Sequence, residues 1–365
     1  MSIFRDPDAP STYPLALMLD RRRFLAGSGA LAAAAAMGDH ALAQSSERIV
    51  VADPGGPFGT AFKAAFHDSF KADTGVTSVQ IAREHEPTAQ VATMVKTRNF
   101  TWDVVTLTLS ARDILHKQGL LEPLDWGLPD MNEIMAEAKH PAWMGTDVYC
   151  TILAYRSDKF AGGGPQSWRD YFDTAKFPGR RAMRRSPIDT LEIALLADGV
   201  EPAKLYPLDV DRAFKKLDAI KKSIAVWWTG GAQTTQLLQS GEVDMVPTWN
   251  ARAQTVSDAG GAVKINWNQG LYSIEGWGIA KGNPKAAIAK RFVAYTANAK
   301  RQAVFTKTLA YGPTNPNAYK FIDKETAGKL PTAPDIFPKI ILAKEEWWAA
   351  NRQKAEERFT AWMLS

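Results

Sequence analysis

Short β-branched runs alternate along the chain with stretches whose apolar residues recur every three or four positions. Arg48 to Ala52 is a run of the first kind and ends in the turn-rich Asp53-Pro54-Gly55-Gly56-Pro57. From about Thr60, residues Phe62, Ala65, Phe66 and Phe70 form the stripe of a helix laid on a sheet. Thr74-Gly75 stops it, as a C-terminal glycine does. Val76 to Ile81 predicts a second strand, Thr88 to Lys96 a second helix, and Asp103 to Leu107 a third strand. Ile114, Leu115 and Leu120 carry the next helix, and Thr235 to Pro247 repeats helix, glycine stop and strand. Pro284 to Asn298 and Lys344 to Met363 predict amphipathic helices, the last bearing Trp347, Trp348, Phe359 and Trp362. Strand and helix alternating at this pitch argue for an α/β fold with a mostly parallel sheet.

The beginning of the chain reads as an address. Arg21-Arg22-Arg23-Phe24-Leu25 leads into the small apolar run Ala26 to Met37, and Ala41-Leu42-Ala43 has a small-x-small cleavage pattern. Residues 1–43 resemble a twin-arginine-type export signal cleaved near Ala43, with Asp20 where that signal usually has Ser or Thr. An ordinary Sec signal or an uncleaved anchor is the competing reading. The apolar run falls short of the roughly 20 residues a membrane-spanning helix needs.

Basic and acidic residues balance within that leader, so the net charge of +5 belongs to the mature part. An excess this mild, with no concentrated basic stripe, argues against nucleic-acid partners. The 365 residues allow about two domains, and 45% hydrophobic residues can build a core in each. Cys150 is the single cysteine, which excludes an intrachain disulfide and leaves a buried small hydrophobe as its default role.

Catalytic chemistry is hard to find. Beyond the leader the histidines are His67, His85, His116 and His140, none at a zinc-helix spacing, and neither a G-x-S-x-G elbow nor a phosphate loop occurs. Glu84-His85-Glu86 could suggest a metal, but adjacent residues point in different directions and a solvated turn explains them. No cofactor and no metal are expected. Gly55 and Gly56 nevertheless lie where α/β folds bind ligands, in the loop between a strand and the following helix.

The positive signal is a set of aromatics and carboxylates. All 12 tryptophans lie beyond the leader, and Trp102, Trp227, Trp228, Trp249 and Trp277 sit beside turn-like or strand-end residues. Each could offer a π-face to a cation, with core packing as the alternative. Asp189 and Glu192 stand three apart at a helix start, on one helical face. They either cap that helix or counter an ammonium group. Glu275, at a predicted strand edge before Gly276-Trp277-Gly278, is a third candidate.

Four groups of residues, in this order, resemble the polyamine-binding branch of periplasmic solute-binding proteins. They are Trp102-Asp103-Val104-Val105 with Gly119 to Leu124, Ser240 to Asp244 with Trp249-Asn250, Tyr311 to Asn315, and Glu346-Trp347-Trp348. The resemblance implies a two-lobed type II fold, each lobe a mostly parallel sheet flanked by helices, with the ligand in the cleft between them. It implies lobe 1 from 44–154 plus 275–318 and lobe 2 from 155–274 plus 319–365, with Pro313 to Pro316 as a crossing. It also implies hinge closure on a small amine in the periplasm and delivery to an ABC permease and its ATPase by a receptor taken to be monomeric. Asp189 and Glu192 match the family's amine-binding carboxylates, Trp249 an aromatic wall, Glu275 an ammonium-holding Asp, and Tyr311 a Tyr-Pro-Thr site. Gly55-Gly56-Pro57 departs from the family's aromatic there, and Thr106-Leu107-Thr108 from its Ser and Tyr, so Gly55, Gly56 and Thr106 are the corresponding contacts.

Arg252, two residues after Asn250, together with Arg184 and Arg185, complicates a purely cationic ligand. Were Arg252 in the cleft it could grip a carboxylate bidentately, and the ligand would be an amino acid, a betaine or a γ-aminobutyrate-like zwitterion. A diamine or polyamine ranks first, the zwitterion second. An exported α/β enzyme and a sensor presenting its liganded lobes to a membrane receptor stand as remoter alternatives.

Overall fold

The computed structural model of the chain describes residues 47–83, 87–160 and 162–365. The leader expected over residues 1–43 and the Glu84-His85-Glu86 turn lie outside the described residues.

β1 (Arg48–Asp53) leads to α1 (Gly56–Phe62), which continues through a π-helical turn (Lys63–His67) into α2 (Asp68–Thr74). The helix starts earlier than its apolar stripe, because Gly55 and Gly56 adopt positive φ and turn the chain directly into it. Gly75, left-handed at φ 74°, ends α2. β2 (Thr77–Ala82), α3 (Thr88–Thr97), β3 (Val104–Thr108) and α4 (Leu109–Lys117) follow. Thr108 caps α4 by accepting the Ala111 N–H at 3.2 Å.

After the short β4 (Lys139–His140) comes the 14-residue β5 (Trp143–Arg156). α5 (Trp168–Phe172), β6 (Arg181–Arg184), α6 (Thr190–Ala197), α7 (Val210–Ile220) and β7 (Ile224–Trp228) succeed it. α8 (Gly231–Ser240), β8 (Met245–Trp249), α9 (Asn250–Asp258) and the 16-residue β9 (Val263–Gly278) return the chain to β5. The remainder holds α10 (Ala286–Thr296), α11 (Ala299–Thr308), β10 (Gly312–Pro313), α12 (Lys324–Ala327), β11 (Ile341–Leu342) and α13 (Glu345–Leu364).

The strands form one sheet in the order β2-β1-β3-β9-β5-β8-β6-β7. Its two ends are parallel, as the β-α alternation predicts, and each forms the sheet of one lobe. Its middle is antiparallel, where β5 and β9 pair from Trp143↔Gly278 to Arg156↔Val263. These two long strands belong to both lobes, beside β3 at one end and β8 at the other. Register shifts at Gly145/Asp147 and Thr151/Leu153 interrupt the pairing, and such irregularities bend and twist a strand. The expected breaks at 154/155 and 274/275 fall inside β5 and β9, so the crossing is made by strands. Pro313, expected at a crossing, pairs with Asp147 of β5.

After residue 318 the chain first stays with α11, where Ala318, Ile322 and Leu330 pack on Ala299 and Ala303. It packs on β9 from Phe337, whose ring lies 5.2 Å from that of Tyr272, and pairs with it as a strand from Ile341. α13 then covers the second lobe, with Trp348 and Phe359 in a core shared with Trp168, Leu191, Leu195 and Leu217. Phe62, Phe66, Phe70, Trp277, Phe292 and Phe305 fill the first lobe's interior. Trp143, Trp168, Trp228, Trp277 and Trp348, five of the 12 tryptophans, are fully buried core material. Among the described residues no helix is long and apolar enough to cross a membrane.

Candidate functional site

Alternate residues of a strand face the same side, so Asp147, Tyr149 and Thr151 of β5 line one face of the crossing. Glu275 of β9 stands in register with Asp147 on one side and with Thr108 of β3 on the other. Glu275 therefore lies within a 16-residue strand rather than at a strand edge. Just beyond β2, Arg83 reaches across the first-lobe sheet. Its Nη2 donates to Glu275 Oε1 at 2.9 Å and its Nε to Thr106 Oγ1 at 3.0 Å. This is a buried ion pair, with side-chain exposures of 3% and 9%. Thr106 is itself fully buried and serves to hold Arg83.

Asp147 has no such support. It is fully buried, and neither carboxylate oxygen has a hydrogen-bond partner among the described residues. Burial, and then the adjacent Glu275 charge, push its carboxyl well above the ordinary range. Opposite in sign is Arg252 on α9, whose Nε is buried and likewise without a partner among the described residues. Tyr311 feels both charges, and its ring centre lies 5.4 Å from Phe58 and 6.0 Å from Tyr149. Burial raises the Tyr311 hydroxyl pKa, Arg252 opposes that rise, and Asp147 and Glu275 add to it.

The second lobe adds an aromatic corner. Trp228 of β7 and Trp249 of β8 meet edge to face with ring centres 5.9 Å apart. The Arg184 guanidinium lies 5.7 Å and 5.4 Å from those two ring centres. It also donates from Nη1 to Asp189 Oδ2 at 2.8 Å, an oxygen that accepts from Thr151 Oγ1 at 3.0 Å as well. Gly231 makes room for this packing. A Cβ there would come within 2.6 Å of the Trp249 ring and 2.9 Å of Arg252 Nε, so Trp249 and Arg252 are neighbours.

Asp189 and Glu192 do not share a face. Asp189 has φ 65°, which takes it out of the helical path, and its side chain makes no cap on α6. Its carboxylate instead reaches Arg184 and Thr151. Glu192 turns into the second-lobe core, where Oε1 accepts from Tyr206 Oη at 2.8 Å and from Trp348 Nε1 at 2.6 Å. Burial, and then Asp189, raise its pKa to about 8. Gly55 and Gly56 shape a loop instead of supplying side-chain contacts. The Gly55 N–H donates to Asp53 Oδ1 at 2.6 Å, and a Cβ on Gly55 would stand 2.9 Å from that of Ala82.

Thus Glu275, Thr106, Tyr311, Trp249, Arg252 and Asp189 are brought together at the crossing, whereas Glu192 lies in the second-lobe core, its Oε1 engaged and its buried Oε2 without a partner among the described residues. Sequence reasoning missed Asp147 and Arg83. A carboxylate inside the otherwise apolar run from Trp143 to Tyr155 was the available signal for Asp147. Arg83 carries no local signal, because its role depends on pairing 192 residues away. Among the described residues no cluster of three or more His, Cys, Asp or Glu is placed to hold a metal ion.

Comparison with known proteins gives this geometry a context. The model of the family described as bacterial extracellular solute-binding protein matches residues 65–334. The gamma-aminobutyric acid-binding protein of Pseudomonas aeruginosa is 34% identical over 326 residues, covering 87% of this chain and 91% of that protein. An ABC transporter substrate-binding protein from Bradyrhizobium japonicum USDA 110 has a crystal structure that superposes with a TM-score of 0.82 at 38% identity, covering 87% of this chain and 99% of that one. The structure of the Atu4243 GABA receptor superposes with a TM-score of 0.80 at 34% identity, covering 87% and 98% respectively.

Proposed function

This chain belongs to the bacterial extracellular solute-binding proteins, the substrate-binding components of ABC importers and not enzymes, and from that premise we propose that it captures a small zwitterion of the γ-aminobutyrate kind. One observation carries the reading. The crossing buries a carboxylate, Asp147, and a guanidinium nitrogen, Arg252 Nε, neither with a hydrogen-bond partner among the described residues, and both side chains act electrostatically on Tyr311. Buried charges are costly unless paired. A ligand with an ammonium at one end and a carboxylate at the other meets both needs at once, with the ammonium on Asp147 and the carboxylate on Arg252. The similarity to two proteins described as binding or receiving γ-aminobutyrate supports the same class.

The polyamine reading, ranked first from the sequence, gives way on physical grounds. The carboxylate and aromatic wall expected to hold an ammonium, Asp189 and Trp249, are engaged by the protein's own Arg184. Glu275 is engaged by Arg83, and Glu192 by Tyr206 and Trp348.

Asp147 lies on a strand common to both lobes, Tyr311 follows the first-lobe helix α11, and Arg252 sits in the second. A ligand touching all three binds the closed form better than the open one, and only such differential affinity shifts the balance between them. Closed and loaded outside the cytoplasmic membrane, to which the leader directs it, the receptor delivers its ligand to the permease and ATPase of the importer.

Thermal unfolding against γ-aminobutyrate, proline betaine, putrescine and spermidine tests the class, since a bound ligand raises apparent stability by mass action. A shift with γ-aminobutyrate that is lost in Arg252→Gln supports the reading. A shift with putrescine or spermidine alone would overturn it.

A further inference from the structure

Two aromatic faces and a carboxylate are the chemistry that recognises an organic cation. In the second lobe that arrangement is complete, and the cation within it belongs to the chain. Arg184 Cζ lies 5.7 Å from the Trp228 ring centre and 5.4 Å from that of Trp249, while Nη1 is 2.8 Å from Asp189 Oδ2. The placement is built from several directions. Asp189 reaches Arg184 through its φ of 65°, and Thr151 of the crossing strand donates to the same carboxylate oxygen at 3.0 Å. Gly231 leaves the space in which Trp249 sits against Arg252.

Resting on the zwitterion reading above, we propose that Arg184 determines specificity by filling the second cation subsite of the cleft with an internal guanidinium. A ligand with one ammonium and one carboxylate uses Asp147 and Arg252 and stops short of Trp249. In a diamino acid whose carboxylate sits on Arg252 and whose distal ammonium sits on Asp147, the further ammonium is on the carbon beside that carboxylate, next to Arg252 and its neighbour Trp249. There it meets a fixed positive charge and finds Asp189 already paired. Like charges brought together away from bulk water repel strongly, so Arg184 acts as a repulsive element that narrows the choice of ligand. Removing its charge would open an aromatic and acidic pocket suited to that extra ammonium.

The test is isothermal titration calorimetry of wild type, Arg184→Ala, Arg184→Gln and Arg184→Lys with γ-aminobutyrate, ornithine, lysine and putrescine, after unfolding curves confirm that each variant is folded. Arg184→Ala and Arg184→Gln are expected to gain affinity for ornithine or lysine by about tenfold or more, the equivalent of one cation–π contact. Arg184→Lys keeps the charge and is expected to keep the exclusion. Should Ala prove too disruptive to fold, Gln, which keeps most of the side chain's bulk, carries the comparison. No gain in either neutral variant overturns the proposal. So does loss of all γ-aminobutyrate binding in a folded Arg184→Gln, which would make Arg184 a ligand clamp. A wild type that ignores γ-aminobutyrate would sink the zwitterion reading alone, because the gain for diamino acids is measured between variant and wild type with the same ligand.

Discussion

Replacing Asp147 with asparagine is expected to weaken ligand binding while stabilising the ligand-free protein, and the two effects share one cause. Both oxygens of the Asp147 carboxylate are buried without a partner among the described residues, and Glu275 stands in register beside it. An ammonium docked there makes charge-assisted hydrogen bonds worth about 1.5–3 kcal/mol, so loss of the charge lowers affinity roughly 10- to 150-fold. In the ligand-free protein the sign reverses. The folded pKa of Asp147 lies above its ordinary value of 3.8, so the folded chain keeps a proton that the unfolded chain has lost. Stability is therefore fully present below the ordinary carboxylate pKa and falls as pH rises through the raised value, at about 1.4 kcal/mol per pH unit inside that window. Asparagine does not ionise, and Asp147→Asn is expected to show a flatter profile and a higher unfolding temperature at the upper end of the window. Binding of an ammonium to wild type favours the ionised carboxylate, so it releases a proton and affinity rises with pH across the same window. Calorimetry in two buffers of different ionisation heat reads that proton directly. An affinity within about threefold of wild type, or a ligand-free variant less stable than wild type throughout, would refute the assignment of Asp147.

Three further predictions follow from neighbouring contacts. Arg252→Gln removes the guanidinium expected to hold the ligand carboxylate and is expected to cost about 1.5–3 kcal/mol of binding, measured calorimetrically; unchanged affinity would take the carboxylate elsewhere. Gly231→Ala places a methyl 2.6 Å from the Trp249 ring and 2.9 Å from Arg252 Nε, yet alanine suits the start of a helix. It is expected to weaken binding about tenfold or more and, through overpacking, to cost about 1–3 kcal/mol of stability, and equal binding would mean the corner yields freely. Glu192→Gln tests the placement of that residue in the second-lobe core. With a folded pKa raised to about 8 from 4.5, Glu192 contributes stability that is complete below about 4.5 and is lost as pH rises through about 8. The variant is expected to flatten the unfolding profile across that window without changing ligand preference, and a change in preference would return Glu192 to the cleft.

β5 and β9 carry Asp147 and Glu275 and also join the two lobes, with register shifts on both sides of the Asp147 to Thr151 segment. In the proposed function a ligand on Asp147 sits on the strands that join the lobes, and its carboxylate on Arg252, at the start of a second-lobe helix, would draw that lobe in. Asn250, two residues earlier, ties the crossing together by accepting the Cys150 N–H at 3.1 Å and donating to the Ala310 carbonyl at 2.5 Å.

What the sequence determined by itself was the alternation of elements and, through it, the α/β class. Apolar periodicity is local, and Phe62, Phe66 and Phe70 announce a buried helical face whatever lies beneath them. Gly75 and Gly241 mark helix ends for the same reason, since a left-handed residue is a local need. The site was legible in type and not in assignment. Glu275, Trp249 and Arg252 stood out by residue chemistry, but their partners are set by strand register and are distant in sequence. Arg83 finds Glu275 only when β1, β3 and β9 lie side by side, and Asp147 is buried without a partner among the described residues only when β10 and β9 flank β5. The spacing of Asp189 and Glu192 implied one shared face, and a single positive φ at Asp189 sent the two carboxylates to different places. Whether a carboxylate is available to a ligand depends on which cation reaches it first, and that is decided by tertiary packing: Arg184 takes Asp189, Arg83 takes Glu275, and Asp147 has no partner among the described residues.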